Sequence, residues 1–250
     1  MKIGAAQLSI GNSLDQNIRK IISFLGRAAV DGIDLLCFPE MCLTGYNCKL
    51  LSSADLGHSI DDAIARIHEE CRMLNVGAII GHAYPNGEAL ANRATVLLPD
   101  NTVHSYDKTH LVVQEQKHFV AGDQSLVFSI DGFKAGIIIC RDQNDPMLVR
   151  QLAEQGAGIL FILAAHLYPP KEARWKIEKN RALPVARAVE NRMYVILSNA
   201  VGSHVGYSSL GNSLIVDPDG AVVVSAGESE ETIISIDLRN SGSATGCIQE

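Results

Sequence analysis

The sequence has no C-x-x-C pair among its six cysteines, Cys37, Cys42, Cys48, Cys71, Cys140 and Cys247. That spacing excludes a zinc ribbon and a thioredoxin-type dithiol. None of the eight histidines pairs with a carboxylate or a second histidine at metal-ligand spacing. The expectation is a protein without metal or organic cofactor. Long apolar runs are also missing. The longest, Ile159 to Ala165, falls far short of the roughly 18 residues a membrane span needs. The N-terminus, MKIGAAQLSI, goes straight into strand-like residues, without a signal peptide's long apolar region. Basic residues are the minority, 21 against 28 acidic, for a net charge of −7. No nucleic-acid partner is expected from that balance, and no block of like charge suggests a binding tail. Unpaired thiols in a chain without a leader point to a reducing, cytoplasmic setting.

What is present is a well-stocked core. Apolar residues make up 47% of the 250 positions and charged residues 20%, which suits one large globular domain. Lys2 to Ser9 reads as a strand, and Asn12 or Ser13 caps a helix with Ile18, Ile21, Ile22 and Leu25 at helical spacing. Asp34 to Phe38 is a second strand, so the opening is a β–α–β unit with parallel strands. A helix over Asp61–Leu74 and a strand over Gly77–Ile80 follow. Asn92–Leu98 and Thr102–Tyr106, around the turn Pro99-Asp100-Asn101, form a hairpin, and Lys108–Gly122 is a loop. Ala135–Ile139 and Ile159–Leu163 are continuous aliphatic runs of the kind buried on both faces in a parallel sheet. Pro146 suits the first position of a helix, a long helix spans Pro170–Asn191, and Tyr194–Ser198 is a strand. Ser213–Val216, Ala221–Val224 and Thr232–Ile236 close the chain as short strands, and the tail from Asn240 is expected to be poorly ordered. The alternation gives one α/β domain over residues 1–238 with a short tail over 239–250.

Four residues that carry chemistry sit at or beyond strand ends. Cys140 ends the run AGIIIC and is followed by the polar turn RDQNDP. A thiol between a strand end and a helix start is placed to act as a nucleophile, since helix N-termini lower cysteine pKa and offer N–H groups to an anion. Glu40 follows the second strand in FPEMCLTGY, at the open end of the sheet where α/β ligand sites lie. Lys108 follows the hairpin in YDKTHLV, with Glu115 in the loop beyond. Tyr46, Arg141, Asn144, His166 and Tyr168 follow strands and are candidate pocket residues, while Arg174 and Trp175 open the long helix. Taken singly, each is as readily a buried thiol, a surface charge or a structural histidine.

The combination changes that. FPEMCLTGY, YDKTHLV with Glu115 and Gly122 behind it, GIIICRDQNDP, RAVENRMYVILSNAVG and GNSLIVDPDG occur in an order and at separations that resemble the nitrilase, or carbon–nitrogen hydrolase, superfamily. The resemblance runs from Met1 to about Leu238. It implies a four-layer α-β-β-α sandwich and a Glu–Lys–Cys catalytic set: Cys140 as nucleophile, Glu40 as general base and then acid, and Lys108 on the oxyanion with the Arg141 backbone N–H. Glu115 matches the family's second glutamate. The implied reaction is hydrolysis of an amide or N-carbamoyl small molecule through a thioester, with no cofactor. A homodimer or larger homo-oligomer is also implied, and the apolar positions of the 170–191 helix offer a face for it.

Within the family, Arg141-Asp142 after the cysteine disfavours nitrile hydrolysis, where Trp-Glu is usual, and is similar to the aliphatic amidases and formamidases. Those enzymes carry an extended C-terminal arm not seen here. Asp145 and Met147 replace the aromatic and glutamate that flank the proline in many relatives. A non-catalytic binding protein of the same fold, or an acyl transferase using the same thiol, are the alternative functions. Arg141 or Arg174 is positioned to pair with a substrate carboxylate, because arginine suits bidentate recognition. If either does so, Arg141→Ala or Arg174→Ala raises KM for an acidic amide, and an unchanged KM in steady-state assays removes that role.

Overall fold

The structure, a computed structural model, describes residues 1–239, with the side chains of residues 48 and 49 excepted. The tail expected from Asn240 therefore lies outside the described residues, as does Cys247. The order of elements is β1 (Lys2–Gln7), α1 (Leu14–Val30), β2 (Leu35–Cys37), α2 (Cys48–Leu51), α3 (Leu56–Leu74), β3 (Gly77–Asn86), β4 (Ala89–Leu97), β5 (Val103–Asp107), β6 (Val127–Ile130), β7 (Phe133–Ile139), α4 (Pro146–Glu154), β8 (Ile159–Ala164), α5 (Pro170–Asn191), β9 (Tyr194–Asn199), β10 (Val201–His204), β11 (Tyr207–Leu210), β12 (Leu214–Val216), β13 (Val222–Ser225) and β14 (Thr232–Asp237).

Two six-stranded sheets carry the molecule, ordered β14-β1-β2-β3-β4-β5 and β13-β12-β9-β8-β7-β6. Each has a parallel trio at its heart, β1-β2-β3 in one and β7-β8-β9 in the other, with antiparallel strands on both sides. The continuous aliphatic strands are explained by what their two faces touch. Ile137, Ile139, Ile159, Phe161 and Leu163 point at the other sheet, against Ile3, Leu35, Ile79 and Val96. Ile138, Leu160, Ile162 and Ala164 point the opposite way, under Leu148, Val149 and Leu152 of α4 and Ala188 of α5. On the first sheet Leu36, Phe38, Ala78 and Ile80 lie under Ile18, Ile21 and Leu25 of α1 and Ile60, Ile67 and Cys71 of α3. The result is helix, sheet, sheet, helix: the four-layer α-β-β-α sandwich expected from the resemblance.

Most expected elements are present, and the differences have local reasons. Ser13 is the α1 cap, accepting from the Gln16 N–H at 3.3 Å. Pro146 is the first residue of α4, behind the capping carboxylate of Asp145. β3 runs six residues past Ile80, to Asn86, and pairs with β4 along its full length. Pro85 and the polar end of that strand hide the hairpin from a reading based on alternation. β6, β10 and β11 are short, partly polar strands that hydrophobic pattern does not mark.

Two glycines bring loops close enough to build the site. A Cβ at Gly81 would stand 2.6 Å from the Pro39 carbonyl oxygen and 2.9 Å from Glu40 Cα, so only glycine lets the segment after β2 lie against β3. A Cβ at Gly122 would stand 2.4 Å from the Asp107 carbonyl oxygen, where the 108–122 loop closes on itself through a 2.9 Å bond from the Gly122 N–H to the Lys108 carbonyl.

Phe161 is fully buried between the sheets. Phe161→Ala is expected to cost about 3–5 kcal/mol of stability. Val223→Ala, at a site 42% exposed, should stay within about 0.5 kcal/mol. Urea unfolding midpoints check both.

Candidate active site

Glu40, Lys108 and Cys140 meet at the ends of three strands. Glu40 lies three residues past β2, Lys108 one past β5, and Cys140 one past β7. The Lys108 ammonium is held between two carboxylates, 2.7 Å from Glu40 Oε1 and 2.9 Å from each oxygen of Glu115. All three side chains are buried. The two carboxylates receive further donors. The Asn92 side-chain amide bridges them at 2.8 Å and 2.9 Å. The Ala165 N–H reaches Glu40 Oε2 at 3.1 Å, the Tyr46 hydroxyl reaches Glu115 Oε1 at 3.1 Å, and the Val112 N–H reaches Glu115 Oε2 at 2.9 Å. The Cys140 thiol faces Glu40 closely enough for each to shift the other's protonation. Among the described residues Cys37, Cys42 and Cys71 are buried, and Cys140 is the cysteine with solvent access.

Two carboxylates share one ammonium here, and that imbalance governs the proton equilibria. Burial pushes the Glu40 carboxyl up, but the charge of Lys108 and hydrogen bonds from Lys108, Asn92 and Cys140 outweigh it and leave it below its ordinary value. Lys108 loses solvent too, yet Glu40, Cys140 and Glu115 hold its ammonium firmly protonated. The thiol goes the other way. Burial raises the Cys140 pKa, the Glu40 carboxylate adds to that, and Lys108 recovers only part of it. Near neutral pH Cys140 is a protonated thiol beside the Glu40 carboxylate. This differs from the thiolate expected from a helix N-terminus. The structure gives the reason: Cys140 opens a 3-10 turn over Cys140–Asn144, and α4 begins only at Pro146.

The backbone around the thiol is held in an unfavourable conformation. Cys140 has φ 45°, His166 φ 40° and Met41 φ 55°, so the chain turns left-handed just beyond each of β7, β8 and β2. Non-glycine residues pay about 1–3 kcal/mol for that, and such strain gathers at functional sites. Buried Asp142 holds the turn. It accepts from the Ile139 N–H at 2.9 Å and the Tyr106 hydroxyl at 2.8 Å, and from the His110 N–H at 2.7 Å. One carboxylate thus ties the cysteine turn to the segment that carries Lys108. From outside, the Arg187 guanidinium of α5 donates to the Gln143 carbonyl at 2.9 Å.

Glu40, Lys108, Glu115, Cys140 and Tyr46 are therefore brought together. His166 is buried beside them, 3.3 Å from the Gln143 amide nitrogen and stacked on Tyr168. Arg141 and Asn144 are exposed on the cysteine turn. Arg174 is exposed and bound to Glu228 at 2.9 Å, and Trp175 is 78% exposed. Asn92, Asp142 and the Ala165 N–H were not among the sequence candidates. Asn92 follows the register of β4, where it sits one strand from Glu40, but a lone asparagine in a strand carries no motif.

A profile of the carbon-nitrogen hydrolase family matches residues 2–245, and the chain belongs to that family. It is 30% identical to a nitrilase of Pyrococcus abyssi, over 88% of this chain and 82% of the relative. It is 29% identical to an (R)-stereoselective amidase of a Pseudomonas species, over 95% of this chain and 85% of the relative. Among solved structures it matches a cysteine-to-alanine mutant of the Nesterenkonia AN1 amidase of the nitrilase superfamily, with TM-score 0.85 and 25% identity, covering 96% of this chain and 91% of that one. Another form of that amidase carries the acetamide moiety of fluoroacetamide added covalently at its active-site cysteine. It matches with TM-score 0.84 and 26% identity, over 95% and 90% of the two chains.

Asn92 lowers the Glu40 pKa by donating to it. Its removal in Asn92→Ala therefore raises that pKa, and the acid limb of the kcat/KM–pH profile should move to higher pH. A limb left in place would mean that Asn92 only packs.

Proposed function

We propose that the protein hydrolyses the C–N bond of small linear amides through a thioester on Cys140. The observation that carries this reading is the buried Lys108 ammonium, fixed between Glu40 and Glu115 beside Cys140, a residue that is partly exposed. Cys140 Sγ attacks the amide carbon while its proton passes to Glu40. The negative oxygen that forms is stabilised by Lys108 and by the Arg141 backbone N–H. Glu40 then gives its proton to the nitrogen, the C–N bond breaks, and ammonia or amine leaves. Water attacks the thioester as Glu40 takes its proton, and Glu40 returns that proton to Sγ as the C–S bond breaks, which releases the acid and restores the thiol and the carboxylate. Glu115 takes no proton in this scheme. It keeps Lys108 aimed and oriented by its own bonds to Tyr46 and Val112.

The raised thiol pKa fits this sequence of events. A base beside the thiol supplies the nucleophile as the acceptor carbon is attacked. The names of the relatives, amidase and omega-amidase, support an amide substrate. A homodimer or larger assembly and a cytoplasmic location go with this reading. The apolar surface of α5, where Trp175 is 78% and Val189 51% exposed, would serve as the contact.

Ammonia release from short amides, ω-amides and N-carbamoyl amino acids should occur with the wild type and fall at least about a thousandfold in Cys140→Ala. Lys108→Met should lose about a hundredfold or more. Release that survives in Cys140→Ala would exclude the thioester route. No release from any substrate, with Cys140 also inert to iodoacetamide, would favour a binding protein.

A further inference from the structure

A narrow cavity opens beside the catalytic cluster, between the end of β8, the start of α5 and the ends of β9 and β11. His166, Tyr168, Ile177, Asn180, Asn199 and Asn212 line it. It adjoins the cluster through one residue, for the Ala165 N–H that binds Glu40 immediately precedes His166. The protonation of Tyr168 senses Cys140, and that of His166 senses Glu40 and Lys108, which places the same wall within electrostatic reach of the nucleophile.

Two buried polar atoms on this wall have no hydrogen-bond partner among the described residues: His166 Nδ1 and Asn199 Oδ1. His166 is 5% and Asn199 2% exposed. The other ends of both side chains are committed. Asn199 Nδ2 donates to the Gly211 carbonyl at 2.5 Å. With Gln143 placed so that its amide nitrogen faces the ring at 3.3 Å, His166 Nε2 accepts from it, and Gln143 Oε1 is left without a partner as well. Burial pulls the His166 pKa down to about 4, so the ring is neutral near pH 7 and its one proton sits on Nδ1. The wall therefore presents one unused donor and one unused acceptor. Leaving buried polar atoms unpaired costs stability, so such a pair points to an occupant. The lining carries no charged side chain, and the cavity has room for about one water-sized group.

We propose that this cavity is a specificity subsite for a hydroxyl group on the amide substrate, with His166 Nδ1 donating to its oxygen and Asn199 Oδ1 accepting its proton. This rests on the amidase reading and adds to it a substrate class, short hydroxy-amides. A carboxylate is a poor fit: it is too large and cannot donate to Asn199, and the neighbouring cations, Lys176 at 5.9 Å from the Tyr168 ring and Lys179 within electrostatic reach of His166, are not part of the lining. Arg174, the helix residue best placed by sequence to meet a carboxylate, is occupied by Glu228. An alkyl chain would fill the volume but strand both polar atoms.

The test is kcat/KM for propionamide and butyramide, their 2-, 3- and 4-hydroxy counterparts, and the half-amide of succinic acid. The enzymes are the wild type, His166→Phe and Asn199→Ala. His166→Phe keeps an aromatic ring on Tyr168 while removing both nitrogens, and Asn199→Ala, which adds no bulk to the cavity, separates loss of the hydrogen bond from a steric loss. One hydroxy isomer should exceed its alkyl parent by roughly tenfold, the worth of one well-placed hydrogen bond pair, and that ratio should collapse in both variants. Equal rates for hydroxy and alkyl amides would overturn the proposal and leave the cavity to an ordered water. A half-amide acid that outruns every neutral substrate would overturn it as well. Ligand-detected NMR titration of the same compounds into Cys140→Ala separates the two readings. Preferential binding of a hydroxy-amide without wild-type turnover would sink hydrolysis and keep the subsite, whereas turnover without binding preference would sink the subsite alone.

Discussion

The ammonium of Lys108 is the charge on which the site depends. Taking two carboxylates and one ammonium out of water costs several kcal/mol per ion, and mutual attraction repays this only if the remaining lone pairs are also satisfied. They are satisfied here by donors from widely separated parts of the chain: the Asn92 amide on β4, the Ala165 N–H after β8, and the Tyr46 hydroxyl and Val112 N–H from two loops. No local segment could hold such a cluster. The whole sandwich must be assembled before the charges become affordable, so the chemistry and the fold share one cooperative unit.

The sandwich supplies that assembly through a repeated plan. Both sheets run antiparallel strand, parallel trio, then two antiparallel strands. Glu40, Asn92, Lys108 and Glu115 come from or just beyond the strands of the first sheet, whereas Cys140, Ala165 and Asn199 come from the second. Glu40 and Cys140 thus sit on different sheets, and their separation is set by the apolar layer between them. Ile137, Ile139, Phe161 and Leu163 on one side and Leu35, Cys37 and Ile79 on the other fill that layer. A close-packed interior resists small displacements, which is how a largely apolar core fixes the position of Glu40 relative to Cys140.

Much of this was legible in the sequence because the chemistry lies where hydrophobic pattern ends. The switch from AGIIIC to RDQNDP marks Cys140, the proline in FPE marks Glu40, and the end of the hairpin marks Lys108. These boundaries are set by burial, which a sequence displays directly. Asn92 and Asp142 were not legible, because their importance comes from who faces them. Asn92 matters through the register of β4 and Asp142 through two loops that meet only in three dimensions. The protonation of Cys140 was misjudged for a similar reason. A helix start nearby in sequence suggests a lowered pKa, but burial and the Glu40 carboxylate raise it, and a 3-10 turn separates the thiol from the helix. Arg141 and Asn144 illustrate the converse, since adjacency to the nucleophile in sequence left both exposed.

The left-handed residues at three strand ends connect these threads. A strand that simply continued would carry the side chain after it to a sheet face, in alternation with its neighbours. The φ of 45° at Cys140 breaks that alternation and turns the thiol to Glu40, and the φ of 40° at His166 does the same for the imidazole. Such a conformation persists only if its surroundings over-determine it. Asp142 and Arg187 do so for the cysteine turn from opposite sides. The Ala165 N–H, fixed on Glu40, sets the direction of the chain into His166. Strain at Cys140 is therefore sustained by buried charge elsewhere, and the Glu40 carboxylate beside the thiol also anchors the backbone that leads to the neighbouring cavity.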